Sequence, residues 1–149
     1  MIGLLMAIIF STKSDFVLED RVEDTVADVR EILELPADSV HVVIRYVDRA
    51  LYDGATTTYA WVIGDPENHQ YVINITDKVN RYNLTEIVAH EMIHIKQYEE
   101  GTLRIDKNDP LRVIYREKSY NIQFIPYRVR PWEIEAFAMS QVLEFQLKL

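Results

Sequence analysis

The sequence predicts a single α+β domain, in which a small mixed β-sheet packs on two helices and a third helix follows at the C-terminal end. The chain has 149 residues, which is the usual size of one domain and enough to bury a core without disulfides. Its hydrophobic share of 48% argues against disorder. Segments with the two-residue period of strands alternate with segments that have the 3.6-residue period of helices.

The N-terminal third is predicted to contain a strand and a helix. Residues 4–10 are apolar and predict a buried first strand, because the segment is too short to cross a bilayer and lacks the basic start of a signal peptide. Residues 18–35 predict a helix that Pro36 ends. Its apolar face is predicted from five residues at helical spacing: Val22, Val26, Val29, Ile32 and Leu33.

The central part of the chain predicts three strands. Residues 41–47, HVVIRYV, are rich in β-branched side chains, which favour a strand. Residues 58–64 and 70–76 flank the turn-rich segment DPENH. Two strand-like runs on either side of a short turn are typical of a hairpin.

The C-terminal part predicts two helices separated by about 30 residues. The first covers 84–100, with Asn83 and Glu86 as a capping box and Gly101 after its end. The segment that follows is predicted as a short hairpin or an irregular excursion, because a structureless loop of that length is unusual. Pro131 starts the last helix, which runs to the end of the chain.

Charge and composition exclude several classes of function. Sixteen basic and 24 acidic residues give a net charge of −8, which argues against nucleic acid as a general partner. The chain has no cysteine, so any metal must be bound by His, Asp, Glu or water. With neither a signal peptide nor a membrane-length segment in the sequence, we expect no membrane partner and a cytoplasmic location.

The segment HEMIH, residues 90–94, has the pattern HExxH. His90 and His94 lie one helical turn apart, so both imidazoles share a face and can bind one metal ion. Glu91 lies about 100° around the helix, off the metal but close to a metal-bound water. Metal binding lowers the pKa of that water, and Glu91 can accept its proton during attack on a carbonyl. The pattern indicates metal-assisted hydrolysis; an ordinary amphipathic helix is the alternative.

A catalytic zinc site needs a third protein ligand and one open position. The remaining histidines, His41 and His69, are predicted as strand or surface residues. The segment PWEIE offers Glu133 and Glu135 in the first turn of the last helix. They lie about 200° apart around the helix axis, so we expect only one to face the metal. Complementing the helix dipole is the alternative role for both.

The segments HEMIHIKQY and RPWEIEAFA together resemble the small gluzincin-type zincin metallopeptidases, which include phage-encoded and bacterial members. The resemblance covers residues 84–139. It implies a zincin-like domain over the whole chain, in which His90, His94 and Glu133 bind Zn²⁺ and Glu91 is the general base. Glu135 is the alternative ligand, or else a hydrogen-bond acceptor or ion-pair partner beside the site. A phage-encoded member would act in the host cytoplasm.

One position departs from the pattern of this family. Larger gluzincins place Asp or Asn four residues after the ligand glutamate, where it orients a zinc-binding histidine, and this chain has Phe137 there. A backbone carbonyl, Glu135 or a group elsewhere in the chain must therefore orient that histidine. The resemblance also implies a substrate-binding edge strand within 58–76 and a hydrogen-bond donor near the reacting carbonyl. The candidates for that donor are Tyr115, Tyr120, Tyr127, Arg128 and Arg130.

These observations predict a zinc-dependent endopeptidase acting on a peptide or protein substrate. The alternative is a zincin-like module, for example a phage component, that keeps a metal for binding or stability. A third hypothesis is a regulator that cleaves a single partner protein. The presence of Glu91 favours catalysis, because metal binding does not need it. The oligomeric state is not predicted.

Overall fold

A computed structural model of the protein describes residues 16–47 and 59–148. The strand predicted over 4–10 lies outside the described residues. The described chain is α+β, as predicted, with three α-helices and two small sheets. Its elements in chain order are α1 (Phe16–Ile32), β1 (His41–Val47), β2 (Ala60–Asp65), β3 (Gln70–Thr76), α2 (Leu84–Glu99), β4 (Leu103–Ile105), β5 (Arg112–Tyr115), β6 (Lys118–Asn121) and α3 (Pro131–Leu147).

The first sheet is mixed and has β3 at its centre, in the order β1-β3-β2. β1 runs parallel to β3, while β2 runs antiparallel to it, as the predicted hairpin requires. A single 3₁₀ turn over Pro66–Asn68 and a left-handed residue, His69, connect β2 with β3. Among the described strands, β3 is the one paired with β2, so β2 lies at one end of this three-strand order.

One face of this sheet and the three helices share an apolar core. Tyr71, Ile73 and Ile75 alternate along β3, and each is at most 1% exposed. They meet buried residues of α1, α2 and α3 in one apolar cluster. The core therefore places α2 beneath the sheet, where the strand order brings β2 close to it.

Helix α1 confirms most of its predicted apolar face. Val22, Val26, Val29 and Leu33 are buried, but Ile32 is 42% exposed. The prediction for Ile32 was wrong because the four buried residues follow one another at intervals of four, three and four residues. Position 32 lies about 100° around the helix axis from Leu33 and falls outside this row. The helix also ends at Ile32, since the next turn contains a residue with positive φ, Glu34.

The segment between α2 and α3 contains a small antiparallel sheet, β4-β5-β6, and so is more regular than predicted. Leu103 and Tyr115 from this sheet pack with Trp132 of α3 in a second apolar cluster. This cluster fixes the start of α3 beside the end of α2. None of the described helices combines the length and apolarity that a bilayer crossing requires.

Candidate metal centre

Helix α2 carries the HExxH segment and lies over the predicted range, although its N-terminal end differs from the prediction. The capping box is not formed, because the Asn83 side chain makes no cap hydrogen bond. Its Oδ1 accepts from the backbone N–H of Asn80 at 2.8 Å, and its Nδ2 donates to the Lys78 carbonyl. At the other end Gly101 has φ 73, which confirms its predicted place after the helix.

Three predicted ligands meet between α2 and α3. Oε2 of Glu133 lies 3.0 Å from Nε2 of His90 and 3.2 Å from Nε2 of His94, and the two nitrogens are 3.1 Å apart. A tetrahedral zinc ion with bonds of about 2.0–2.1 Å holds its ligand atoms about 3.3 Å from one another. The three buried side chains form a triangle of nearly that size and can hold a metal ion.

Small residues in α3 help Glu133 to reach the histidines. Pro131 occupies the first turn of α3, as predicted, and Glu133 follows in the same turn. Ala136 and Ser140 come three and seven residues later, and both are 0% exposed. Small side chains at these positions permit close approach of α3 to α2, against which it packs. Glu133 is 6% exposed and lies on the buried side of the helix.

The charges of the triangle favour a cation. Burial by itself would raise the pKa of Glu133, but hydrogen bonds with His90 and His94 outweigh it and lower the pKa to about 2. Burial would likewise lower the pKa of His94, but the hydrogen bond to Glu133 and the nearby charge of Glu91 raise it to about 8. In the metal-free protein near neutral pH, a proton therefore lies among these groups. A metal ion would take its place.

Glu91 lies beside the triangle rather than in it. It is 5% exposed and lines a cleft of about 150 Å³ together with His94 and Glu133. Burial raises the pKa of the Glu91 carboxyl above its usual value, although the two histidines partly oppose this. A carboxylate with a raised pKa accepts a proton more readily than a solvated one, which suits a general base.

The cleft is walled largely by apolar and aromatic side chains. One wall is strand β2, through Ala60, Trp61 and Val62. The other apolar and aromatic lining residues come from α2, β4, the segment before α3 and the first turn of α3: Tyr98, Leu103, Tyr127 and Trp132. Strand β2 therefore borders the same cleft as Glu91 and His94.

Of the five predicted donor candidates, all within the described ranges, Tyr127 is the one that lines the cleft. Burial and the neighbouring Glu133 carboxylate both raise the pKa of its hydroxyl, so the hydroxyl lies near that carboxylate. The rings of Tyr115 and Tyr120 pack on Trp132, at centroid distances of 6.1 and 5.7 Å. Arg130 donates to two backbone carbonyls.

The other histidines lie away from the ligand group, in agreement with their predicted roles. His41 is exposed at the start of β1. The side chain of His69 is 54% exposed, and its Nδ1 lies 2.8 Å from Glu99. Neither joins the three residues that can hold an ion.

The structure shows one residue at the site that the sequence analysis missed, Gln97. Its Oε1 lies 2.8 Å from Nδ1 of His94. Its Nε2 donates to the Trp132 carbonyl at 3.1 Å and to Oε2 of Glu135 at 2.8 Å. The available signal was its position three residues after His94, which places both on one face of the helix.

Glu135 is turned away from the triangle. Besides Gln97, its carboxylate accepts from the Tyr115 hydroxyl and from Nη2 of Arg116, which lies 2.8 Å away. It thus takes the two alternative roles that the sequence left open, hydrogen-bond acceptor and ion-pair partner.

Phe137 occupies the position at which the family pattern has an orienting Asp or Asn. Its ring lies 4.4 Å from that of His90, centroid to centroid. Nδ1 of His90 is buried and has no hydrogen-bond partner among the described residues. On the Nδ1 side, away from the triangle, His90 is therefore held by ring packing and His94 by a hydrogen bond.

Comparisons with protein-family models, with curated proteins and with solved structures return no match to this chain. What the site can do therefore follows from the chemistry and geometry of its own side chains.

Proposed function

We propose that this protein is a zinc-dependent metallopeptidase of the small gluzincin type, which hydrolyses peptide bonds. The supporting observation is the buried triangle of His90, His94 and Glu133, with Glu91 beside it in the same cleft. Two imidazoles and one carboxylate form a ligand set known from zinc peptidases, in which the fourth position takes water or substrate.

The residues around the triangle match the requirements of amide hydrolysis. Bound Zn²⁺ supplies a water of lowered pKa and polarises the substrate carbonyl. Glu91 accepts one proton of the attacking water and then delivers it to the nitrogen of the leaving amine. The scissile C–N bond breaks while the new C–O bond to the water oxygen is retained. The second water proton stays on the new carboxyl group, so the products are a carboxylic acid and an amine.

Tyr127 is the proposed donor to the carbonyl under attack. It lines the cleft near the ligand carboxylate, and the residue is 48% exposed. Charge grows on the carbonyl oxygen as the water adds, so a donor placed there stabilises the transition state more than the ground state.

Strand β2 is the proposed substrate platform. Three of its residues, Ala60, Trp61 and Val62, line the cleft beside the proposed base. A peptide can pair with the outer edge of such a strand through backbone hydrogen bonds. Pairing of this kind would carry the scissile bond across the cleft.

A metal-stabilised binding module is the second candidate. It is favoured by the position of the triangle, which links α2 to α3 across their interface, so that a bound ion would hold the two helices together. Such a module would not need a buried carboxylate next to the ligands. Glu91 therefore distinguishes the two functions.

The deciding experiment compares the unmodified protein with Glu91→Gln, which has nearly the same shape but is a much weaker base. Zinc content is measured by elemental analysis, and hydrolysis is measured on casein and on a mixed peptide library. We expect about one zinc per chain in both proteins, with hydrolysis in the unmodified protein alone. Equal hydrolysis in both would remove Glu91 as the base, and zinc without hydrolysis in either would favour the binding module.

A further inference from the structure

We propose that Gln97 is a positioning residue that keeps the proton of His94 on Nδ1, and that Glu135 in turn fixes the amide of Gln97. The metal-binding part of this inference rests on the proposed function. The proton position on His94 is a property of the metal-free protein and can be measured without a metal.

The orientation of the Gln97 amide follows from its neighbours. One of the two terminal atoms of the amide lies 3.1 Å from the Trp132 carbonyl oxygen and 2.8 Å from the Glu135 carboxylate. Both of these groups are acceptors, so the atom facing them must be the NH₂ nitrogen. The carbonyl oxygen of the amide must then face His94.

The orientation of Gln97 fixes the tautomer of His94. Since Oε1 of Gln97 is an acceptor 2.8 Å from Nδ1, that ring nitrogen must carry the proton. The lone pair of a neutral His94 therefore lies on Nε2, which points into the triangle 3.2 Å from Glu133. This is the tautomer that a metal ion needs from His94.

The chain of contacts continues into the second sheet. Glu135 accepts hydrogen bonds from Tyr115 of β5 and from Arg116, which begins the turn that follows β5. Its carboxylate cannot act as a donor when ionised, and these donors lower its pKa despite partial burial, which would raise it. The two glutamates of the first turn of α3 thus have separate tasks: Glu133 faces the histidines and Glu135 faces Gln97.

The structure offers a comparison within the same site. His90 has a ring neighbour, Phe137, in place of a hydrogen-bond acceptor at Nδ1. His94 has the acceptor. Loss of Gln97 should therefore remove the Nδ1 acceptor of His94, whereas the Nδ1 side of His90 has no such acceptor to lose.

Three variants test this assignment. Gln97→Met keeps the length of the side chain but removes the acceptor. The double variant combines Gln97→Glu with Glu135→Gln. The carboxylate at position 97 then accepts from His94, and the new amide at position 135 donates to that carboxylate. Gln141→Met, on the exposed face of α3, is the matched control.

The first measurement is the ¹⁵N spectrum of the imidazoles in metal-free protein at about pH 9, which reports the ring nitrogen that carries the proton in a neutral imidazole. We expect His94 to be the Nδ1–H tautomer in the unmodified protein, the control and the double variant. In Gln97→Met we expect a mixture of tautomers. An unchanged His94 spectrum in Gln97→Met would overturn the proposal.

The second measurement is zinc affinity by competition with a chromophoric chelator. Loss of an outer hydrogen-bond partner costs about 10–100-fold in metal affinity, which is the decrease expected for Gln97→Met. The double variant should return to within about threefold of the unmodified protein. A double variant as weak as Gln97→Met would show that Gln97 acts through packing. Should the unmodified protein bind no zinc at all, the proposed function fails, and the ¹⁵N spectra still decide the role of Gln97.

Discussion

Oε2 of Glu133 lies 3.0 Å from Nε2 of His90, although 43 residues separate them in the chain. The contact is made by α3, which packs along α2 and presents its first turn to the HExxH segment. A pair this close would be unremarkable on a surface, but both side chains here are only 7% exposed. Such burial of ionisable groups is costly unless they are paired or bind an ion.

Glu133→Gln should weaken zinc binding more than Glu135→Gln does. Glu133 belongs to the ligand triangle, whereas Glu135 reaches the metal only through Gln97 and His94. We expect Glu135→Gln to cost at most the roughly 10–100-fold typical of an outer partner, and Glu133→Gln to cost more. Chelator competition measures both. The reverse order would identify Glu135 as the ligand.

His90→Ala should lower zinc content to a small fraction of that of the unmodified protein. One of three ligands is lost, and the remaining His94 and Glu133 leave two open positions on a tetrahedral ion. His41→Ala is the control, because that residue is exposed at the start of β1. Elemental analysis after gel filtration gives the result, and equal zinc content in the two variants would place the metal elsewhere.

Tyr127→Phe should lower kcat by about 10²–10³-fold, with little change in KM, because one donor to the developing oxyanion is lost. Tyr120→Phe serves as its control, since the Tyr120 ring packs on Trp132 and does not line the cleft. Steady-state kinetics on a peptide found by library screening measures both constants. A kcat for Tyr127→Phe equal to that of the control would remove Tyr127 from the mechanism.

The metal-free protein should lose stability as the pH rises from about 6.5 to about 8. Burial alone would lower the pKa of His94, but Glu133 and Glu91 raise it to about 8, above the value of about 6.5 in an unfolded chain. The folded state thus holds this proton more tightly, and the stabilisation is complete below pH of about 6.5 and lost as the pH passes about 8. Urea unfolding of chelator-treated protein measures the decrease, which His94→Ala should lack.

The metal-free protein should also lose stability as the pH falls, through Glu133. Glu133 has its pKa lowered to about 2 in the folded protein, despite burial, by hydrogen bonds with the two histidines. Its contribution to stability is present above the ordinary carboxyl pKa and disappears as the pH falls toward about 2. Glu133→Gln should flatten this acid limb of the urea-unfolding profile. An unchanged acid limb in that variant would show that Glu133 is not paired in solution.

Local sequence patterns were sufficient for much of the fold. The alternation along 70–76 and the spacing of His90 and His94 are short-range properties, which period and turn chemistry fix. One error arose where a neighbouring group competes, because Asn83 turns back to Asn80 instead of capping α2. The other arose from helix geometry, because Ile32 lies outside the row of buried residues of α1.

The site was predictable only in part, for a physical reason. The histidine pair follows from helical geometry, but the sequence alone left Glu133 and Glu135 both open, and the choice came from a family pattern. Their separation depends on how α3 docks on α2, which is a tertiary property. The Gln97–Glu135 contact and the approach of Tyr127 to Glu133 depend on the same docking. No local period encodes such contacts.

The most direct test of the central claim is a crystal structure of the zinc-loaded protein, with anomalous diffraction measured on both sides of the zinc edge. We expect one ion about 2.0–2.2 Å from Nε2 of His90, Nε2 of His94 and a carboxylate oxygen of Glu133, with its fourth position toward the cleft. An anomalous peak at other side chains, or none between α2 and α3, would contradict the proposed metal centre.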